Sequence, residues 1–212
     1  KHRNEKSRHS KRSILISIAV AIVSCAIVAA LVSHLIKKNH AQWHEYDSQG
    51  KTSFNRGLYD DAEASFNKAL SISTFAKRQQ LESLQVLALL NHITGKTKKE
   101  AELNLQISDL KKSKPGNHLA LLDRSSLRKV LNTLPQLSPP LRKNQVDLTA
   151  FWVLYSAYLL EKEGNQNEAL FLIDESLPLL TDELGAKSRA ILHLSKEKAQ
   201  LMEQSARSGD NR

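Results

Sequence analysis

Residues that usually carry chemistry are scarce in this sequence. There is one cysteine in 212 residues, Cys25, so neither a disulfide framework nor a multi-thiolate metal site can be built. Since no cysteine falls after residue 25, cysteine usage does not decide the redox compartment. Aromatics make up 5%, too few for a surface that stacks nucleic-acid bases. All seven glycines have structural places: Gly50 at a packing position, Gly57, Gly95 and Gly164 at turns, Gly116 and Gly185 in connectors, Gly209 in the tail. None remains for a phosphate-cradling loop, and the sequence contains no G-x-x-x-x-G-K, H-E-x-x-H or G-x-S-x-G motif. No catalytic residue, cofactor or metal site is therefore expected. His40 and His44 could share a helix face, but lack a third ligand. The adjacent acids Asp60/Asp61, Asp174/Glu175 and Asp182/Glu183 point to different sides of a helix and read as solvated or capping charges. Lys1 opens the chain and the only methionine is Met202, so residues are expected to be missing upstream or removed by processing.

Charge is also absent over one long interval. The run SILISIAVAIVSCAIVAALVSHLI, residues 13–36, holds no Asp, Glu, Lys or Arg. As a helix its 24 residues reach roughly 36 Å, against about 30 Å of hydrocarbon in a bilayer. The 11 Ile, Leu and Val of residues 14–33 favour insertion by about 3–7 kcal/mol. The run is expected to be a single transmembrane anchor. Two other readings use the same residues: a cleaved secretory signal with a small-residue site at Val28–Ala30, and a bacterial lipoprotein signal in which IVSC presents Cys25 for lipidation. The flank 1–12 carries Lys1, Arg3, Lys6, Arg8, Lys11 and Arg12, and the far flank Lys37 and Lys38. That asymmetry places the basic N-terminal segment in the cytoplasm and the domain outside, with a bacterial cell membrane as the expected setting.

The net charge of +9 is concentrated at this end. Residues 1–40 hold 8 Lys/Arg against 1 Glu, whereas residues 41–212 hold 23 against 21. A nucleic-acid-binding domain would carry the excess on its folded part, so that class is excluded.

Beyond the anchor the periodicity is helical throughout, and the class is all-α. Trp43, Tyr46, Gly50 and Phe54 share one face of a helix that ends near Gly57. Ala62, Phe66, Ala69 and Leu70 mark its partner, to about Ser73. Leu81, Leu84, Leu87 and Ala88 predict a helix to Gly95, and Leu103, Ile107 and Leu110 another. Pro115 and Gly116 break the chain, a helix is expected over 118–134, and PQLSPP reads as a connector. From Val146 a helix apolar nearly all round should be buried on two sides. Its partner follows Gly164, with Pro178 expected to end or bend it, and one more helix closes the domain. Residues 206–212 are expected to be a disordered tail.

Three of these hairpins look alike. Tyr46, Gly50, Gly57, Tyr59, Ala62, Phe66 and Ala69 in the first, and Val153, Ala157, Gly164, Ala169 and Ile173 in the last, resemble the tetratricopeptide repeat. Gln49, Ser53 and Thr74 depart from its pattern. The middle unit is longer, with 39 residues from Ala62 to Ala101, and LTDELGAKSRAILHL is similar to a variant of about 42 residues. The resemblance covers residues 41–205. It implies a short right-handed α-solenoid of stacked hairpins whose concave face binds proteins without catalysis. On that analogy His44, Asp47, Lys51 and Asn55 of the first unit, and Phe151, Leu154 and Tyr158 of the last, would line a partner groove. The family's carboxylate clamp is not matched, since Asp47 and Lys51 stand at its positions.

A second candidate surface comes from charge. Residues 96–143 hold 11 Lys/Arg against 4 acids, and residues 144–212 hold 7 against 11. Lys96, Lys98, Lys99, Lys111, Lys112, Arg128 and Lys129 form a candidate basic patch for an acidic partner or anionic lipid. The expected function is a membrane-anchored scaffold or assembly factor for a protein partner or membrane complex. The alternative is a targeting or regulatory part of an enzyme whose catalytic segment lies upstream or on another chain.

Overall fold

The computed structural model describes the backbone of residues 2–74, 76–112 and 122–209, and the side chains among these from Ala26 onward except 27, 208 and 209. It is all-helical. Among the described residues the helices are α1 (His2–Asn55), α2 (Tyr59–Ile72), α3 (Lys77–Ile93), α4 (Thr97–Lys112), α5 (Arg124–Thr133), α6 (Pro139–Lys162), α7 (Gln166–Leu184) and α8 (Arg189–Gly209), with a 3-10 turn at Leu134–Gln136. The chain divides into two units, Lys1–Gln42 and Trp43–Arg212.

The first unit is helical. Its described large apolar side chains, Val28, Leu31, Val32, Leu35 and Ile36, are all exposed. Among the described residues no helix is long and apolar enough to cross a membrane. Of the run 13–36, only Ala26 and residues 28–36 have described side chains, so the expected anchor and Cys25 lie mostly outside them.

The second unit is built from three helical hairpins that turn in the same way. Gly57, Gly95 and Gly164 have φ of 72°, 72° and 80°, the left-handed region that side chains avoid. Each glycine N–H donates to the carbonyl three residues back, and the next N–H to the carbonyl five before itself: Gly57 to Phe54 and Leu58 to Ser53, Gly95 to His92 and Lys96 to Asn91, Gly164 to Glu161 and Asn165 to Leu160. This is a Schellman cap, and it occurs three times. The turns set a common register. Seven residues before each glycine stands a small buried residue, Gly50, Ala88 or Ala157. A Cβ on Gly50 would lie 2.4 Å from the Phe66 ring, so a partner ring takes the space that a side chain would need.

The same register corrects the expected alignment of the middle hairpin. Five residues after the glycine stand Ala62, Glu100 and Ala169, all buried. Ala101, expected at the packing position, is exposed. Glu100 occupies the alanine slot.

Other boundaries differ for local reasons. The break at Pro115 and Gly116 lies outside the described residues. α5 starts at Arg124, not 118, because Asp123 caps it by accepting from the Ser126 N–H at 2.7 Å. α6 starts at Pro139, seven residues before Val146, since Pro139 and Pro140 fill first-turn positions that lack hydrogen-bonded N–H groups anyway. α7 runs through Pro178 to Leu184. The proline is exposed, on a face where water can reach the carbonyl that it leaves unpaired. α8 continues through Gly209, into the segment expected as a tail.

As the all-round apolar pattern predicts, α6 is the most enclosed helix: every residue from Thr149 to Leu160 is buried except Trp152. Phe151 meets Phe54 of α1 edge to face at 5.3 Å. Tyr155 donates to Gln85 of α3 at 3.0 Å, and Tyr158 to Glu100 of α4 at 3.1 Å. α7 and α8 also pack on it. α8 then returns to the first hairpin, where Arg189 donates to the Gly57 carbonyl at 2.7 Å and His193 pairs with the Tyr59 hydroxyl. The last helix closes on the first turn, and α6 is enclosed by the other described helices of this unit.

Candidate functional site

That closure decides the fate of the expected groove. Phe151, Leu154 and Tyr158 are at most 2% exposed, and Asp47 and Lys51 are each 7% exposed. They belong to the interior and offer a partner no surface. His44 is exposed and Asn55 half-buried, the latter donating to the Asp147 carbonyl at 2.9 Å. The structure does bring several of these residues together. The Lys51 ammonium is 2.6 Å from Asp47 and 3.4 Å from Glu82, and stands over the Trp152 ring at 4.5 Å and the Phe151 ring at 5.5 Å. Burial raises the pKa of both Asp47 and Glu82 more than Lys51 lowers it. This is an internal ion triad that locks α1 to α3 and α6.

The basic patch is largely spent inside the chain. Lys96 and Lys99 reach Glu63 of α2 at 2.7 and 3.2 Å. Lys111 reaches Glu163 at 3.2 Å, Lys112 reaches Asp109 at 3.3 Å, and Arg128 reaches Glu175 at 3.2 Å. Arg124 pairs with Glu168 at 2.7 Å and Arg142 with Glu183 at 3.6 Å. The basic stretch 96–143 thus pairs with acids on three sides: Glu63 of α2, Asp109 of its own helix, and the acidic stretch from Glu163 to Glu183. Lys98 and Lys129 remain exposed.

Among the open clefts of the described residues, two lie beside residues considered above. One, of about 500 Å³, lies between α1 and α2 and is lined by Ser48, Thr52, Arg56, Asp61, Ser65 and Lys68 among others. The other, of about 430 Å³, runs along α4 and α6 past Asn104, Ile107, Lys111 and Lys162.

Beside the second cleft is a polar cluster with no counterpart in the sequence reading. Its parts come from equivalent places in the hairpins. His92 and Glu161 each stand three residues before a turn glycine, where the first hairpin has Phe54. Asn104 stands nine after, where the other hairpins have Phe66 and Ile173. The His92 ring lies between Glu100, at 3.3 Å from Nδ1, and Glu197 of α8, at 3.4 Å from Nε2. Glu100 also accepts from Tyr158 and contacts Lys162 at 3.0 Å, and Asn104 donates to the Tyr158 hydroxyl at 3.3 Å. The hydrogen bond to Glu197 raises the pKa of His92 against the opposing effect of burial. Burial pulls Glu100 upward, but Lys162, His92 and Tyr158 together hold it below the ordinary range. Burial raises Tyr158 well above the ordinary phenol, so it stays a donor. His92, Glu161 and Glu197 are the one group among the described residues with three metal-ligand side chains converging, their ligand atoms within 4.8 Å of one another. No linear motif joins residues 92, 161 and 197. The signal available in the sequence was Glu100 in an alanine slot, visible once the turn glycines are aligned.

No protein-family model, no curated protein and no solved structure matches this chain.

Proposed function

We propose that this chain is a single-pass membrane protein whose hairpin domain, of tetratricopeptide-repeat type, acts as a non-catalytic scaffold for a protein partner on the extracytoplasmic side. The observation that carries the reading is the 24-residue chargeless run with six cations before it and a helical domain after it. The repeated Schellman turns and the small residue seven positions before each support the repeat type. With the expected groove residues of α1 and α6 largely buried, the partner surface moves to the outside of the bundle. The cleft between α1 and α2 suits it. Its walls carry Arg56, Lys68 and Asp61 together with serine and threonine hydroxyls, which fit a polar extended segment better than an apolar helix.

The test is site-specific photo-crosslinking in intact membranes, with the photoreactive residue at Thr52 or Ser65 and, as a comparison, at the exposed Lys98 or Lys129. A discrete adduct from the first pair but not the second supports the cleft. Adducts from Lys98 and Lys129 alone would move the docking surface to the basic segment and refute this placement.

A further inference from the structure

We infer that His92, Glu161 and Glu197 form a binding site for a divalent transition-metal ion of the zinc type. An imidazole with two carboxylates is a donor set that such an ion takes readily. The His92 Nε2 to Glu197 separation of 3.4 Å equals the spacing of about 3.4 Å between two ligands that sit at roughly 2.1 Å from one tetrahedral ion. The third ligand is ready: Glu161 Oε2 is buried with no hydrogen-bond partner, while its Oε1 accepts from Gln204 at 3.1 Å. A buried carboxylate oxygen without a donor is costly, and a cation removes that cost.

The surroundings have the form of a supporting shell. With Nε2 turned to the ion, Nδ1–H donates to Glu100, the carboxylate partner that fixes the tautomer of a metal-bound histidine. Tyr158 and Lys162 hold Glu100 in turn. Charge agrees as well. Of Glu100, Glu161 and Glu197, only Glu100 pairs with a lysine among the described residues, Lys162 at 3.0 Å, which leaves an excess of two negative charges when His92 is neutral, and a divalent ion balances it. The repeat register supplies an independent argument. The middle hairpin replaces apolar slots with His92, Glu100 and Asn104, and the last hairpin places Glu161 where the first has Phe54. Polar replacements at core positions of a repeat weaken packing, and here His92 and Glu161 converge directly while Glu100 touches His92 and Asn104 joins through Tyr158. The ligands come from α3, α6 and α8, so the ion would tie the last helix to the middle hairpin.

The test uses the full chain in detergent, stripped with chelator and titrated with Zn²⁺ by calorimetry and thermal melting. One ion binds per chain, and at a hundredfold excess over Kd the Tm rises by about 5–10 °C. Mg²⁺ at the same concentration gives no such rise. Glu161→Gln does not lower the metal-free Tm, since it removes a buried unpaired charge, and it weakens Zn²⁺ at least about tenfold; His92→Gln weakens Zn²⁺ to the same degree. His40→Gln with His44→Gln leaves the affinity unchanged, which separates this site from the surface pair. Zn²⁺ also shifts the Nε2 nitrogen resonance of His92. Two results overturn the inference: no one-to-one binding, which leaves a protonated His92 bridging two carboxylates, or binding of undiminished affinity in Glu161→Gln.

Discussion

Replacing Gly50 by alanine tests the packing of the first hairpin at its tightest point. In an ordinary helix interior the change stabilises by about 1 kcal/mol, because alanine loses less backbone entropy. Here the added Cβ meets three atoms of the Phe66 ring at 2.4, 2.6 and 2.8 Å, where ordinary contacts begin near 3.4 Å. The ring must retreat by about 1 Å, yet Phe66 is wholly buried and has nowhere to go. Overpacking of this kind costs about 1–3 kcal/mol. The balance is a loss of about 1 kcal/mol, read as a Tm lower by about 2–4 °C in a domain of this size. A double-mutant cycle sharpens the test. Phe66→Leu alone leaves a cavity, and Gly50→Ala with Phe66→Leu partly fills it, so the pair should be more stable than the two single changes predict by about 1 kcal/mol. A Tm raised by Gly50→Ala, or strict additivity in the cycle, would refute the close approach.

Lys51→Ala strands the buried carboxylates of Asp47 and Glu82 and should cost about 3–5 kcal/mol in urea unfolding, whereas combining Lys51→Met with Asp47→Asn and Glu82→Gln recovers most of it. Phe54→Ala opens a cavity against Tyr59 and Phe151 and should cost about 3–5 kcal/mol by the same measurement. The pKa of Glu63 is lowered first by its hydrogen bond from Lys96, so its stabilisation is complete above about 4.5, the unfolded value, and is lost as pH falls through the lower folded value. Glu63→Gln should therefore flatten the acid limb of the stability curve by about 0.2–1 kcal/mol, an effect that shrinks in high salt.

What was legible in the sequence followed from local physics. A left-handed turn residue is written as glycine, so Gly57, Gly95 and Gly164 announced the hairpins directly. An all-round apolar stretch has to be enclosed, so the burial of Phe151 to Leu160 was readable before any contact was known. Closure of the bundle was not readable, because it rests on pairs such as Arg189 with Gly57 and Tyr59 with His193, more than 130 residues apart. Asp47 and Lys51 misled for a related reason. Two charges one turn apart look like a solvated face, and only the approach of Glu82 and Trp152 makes that face internal. For the basic segment the sequence shows the excess of charge but not the acids, such as Glu63 and Glu175, that fold onto it. His92, Glu161 and Glu197 carry no spacing signal at all. Their relation appears only when the three turns are superimposed, and then as polar residues in apolar slots.

The central claim, that residues 13–36 hold the domain at a membrane, is tested most directly by extracting membranes with alkaline carbonate and high salt and probing for the intact chain, in parallel for the unaltered protein and Cys25→Ala. An apolar span does not depend on charge for its insertion, so both proteins should stay in the pellet. Release of the unaltered chain into the supernatant would contradict the account, and release of Cys25→Ala alone would replace the spanning helix with a lipid anchor at that cysteine.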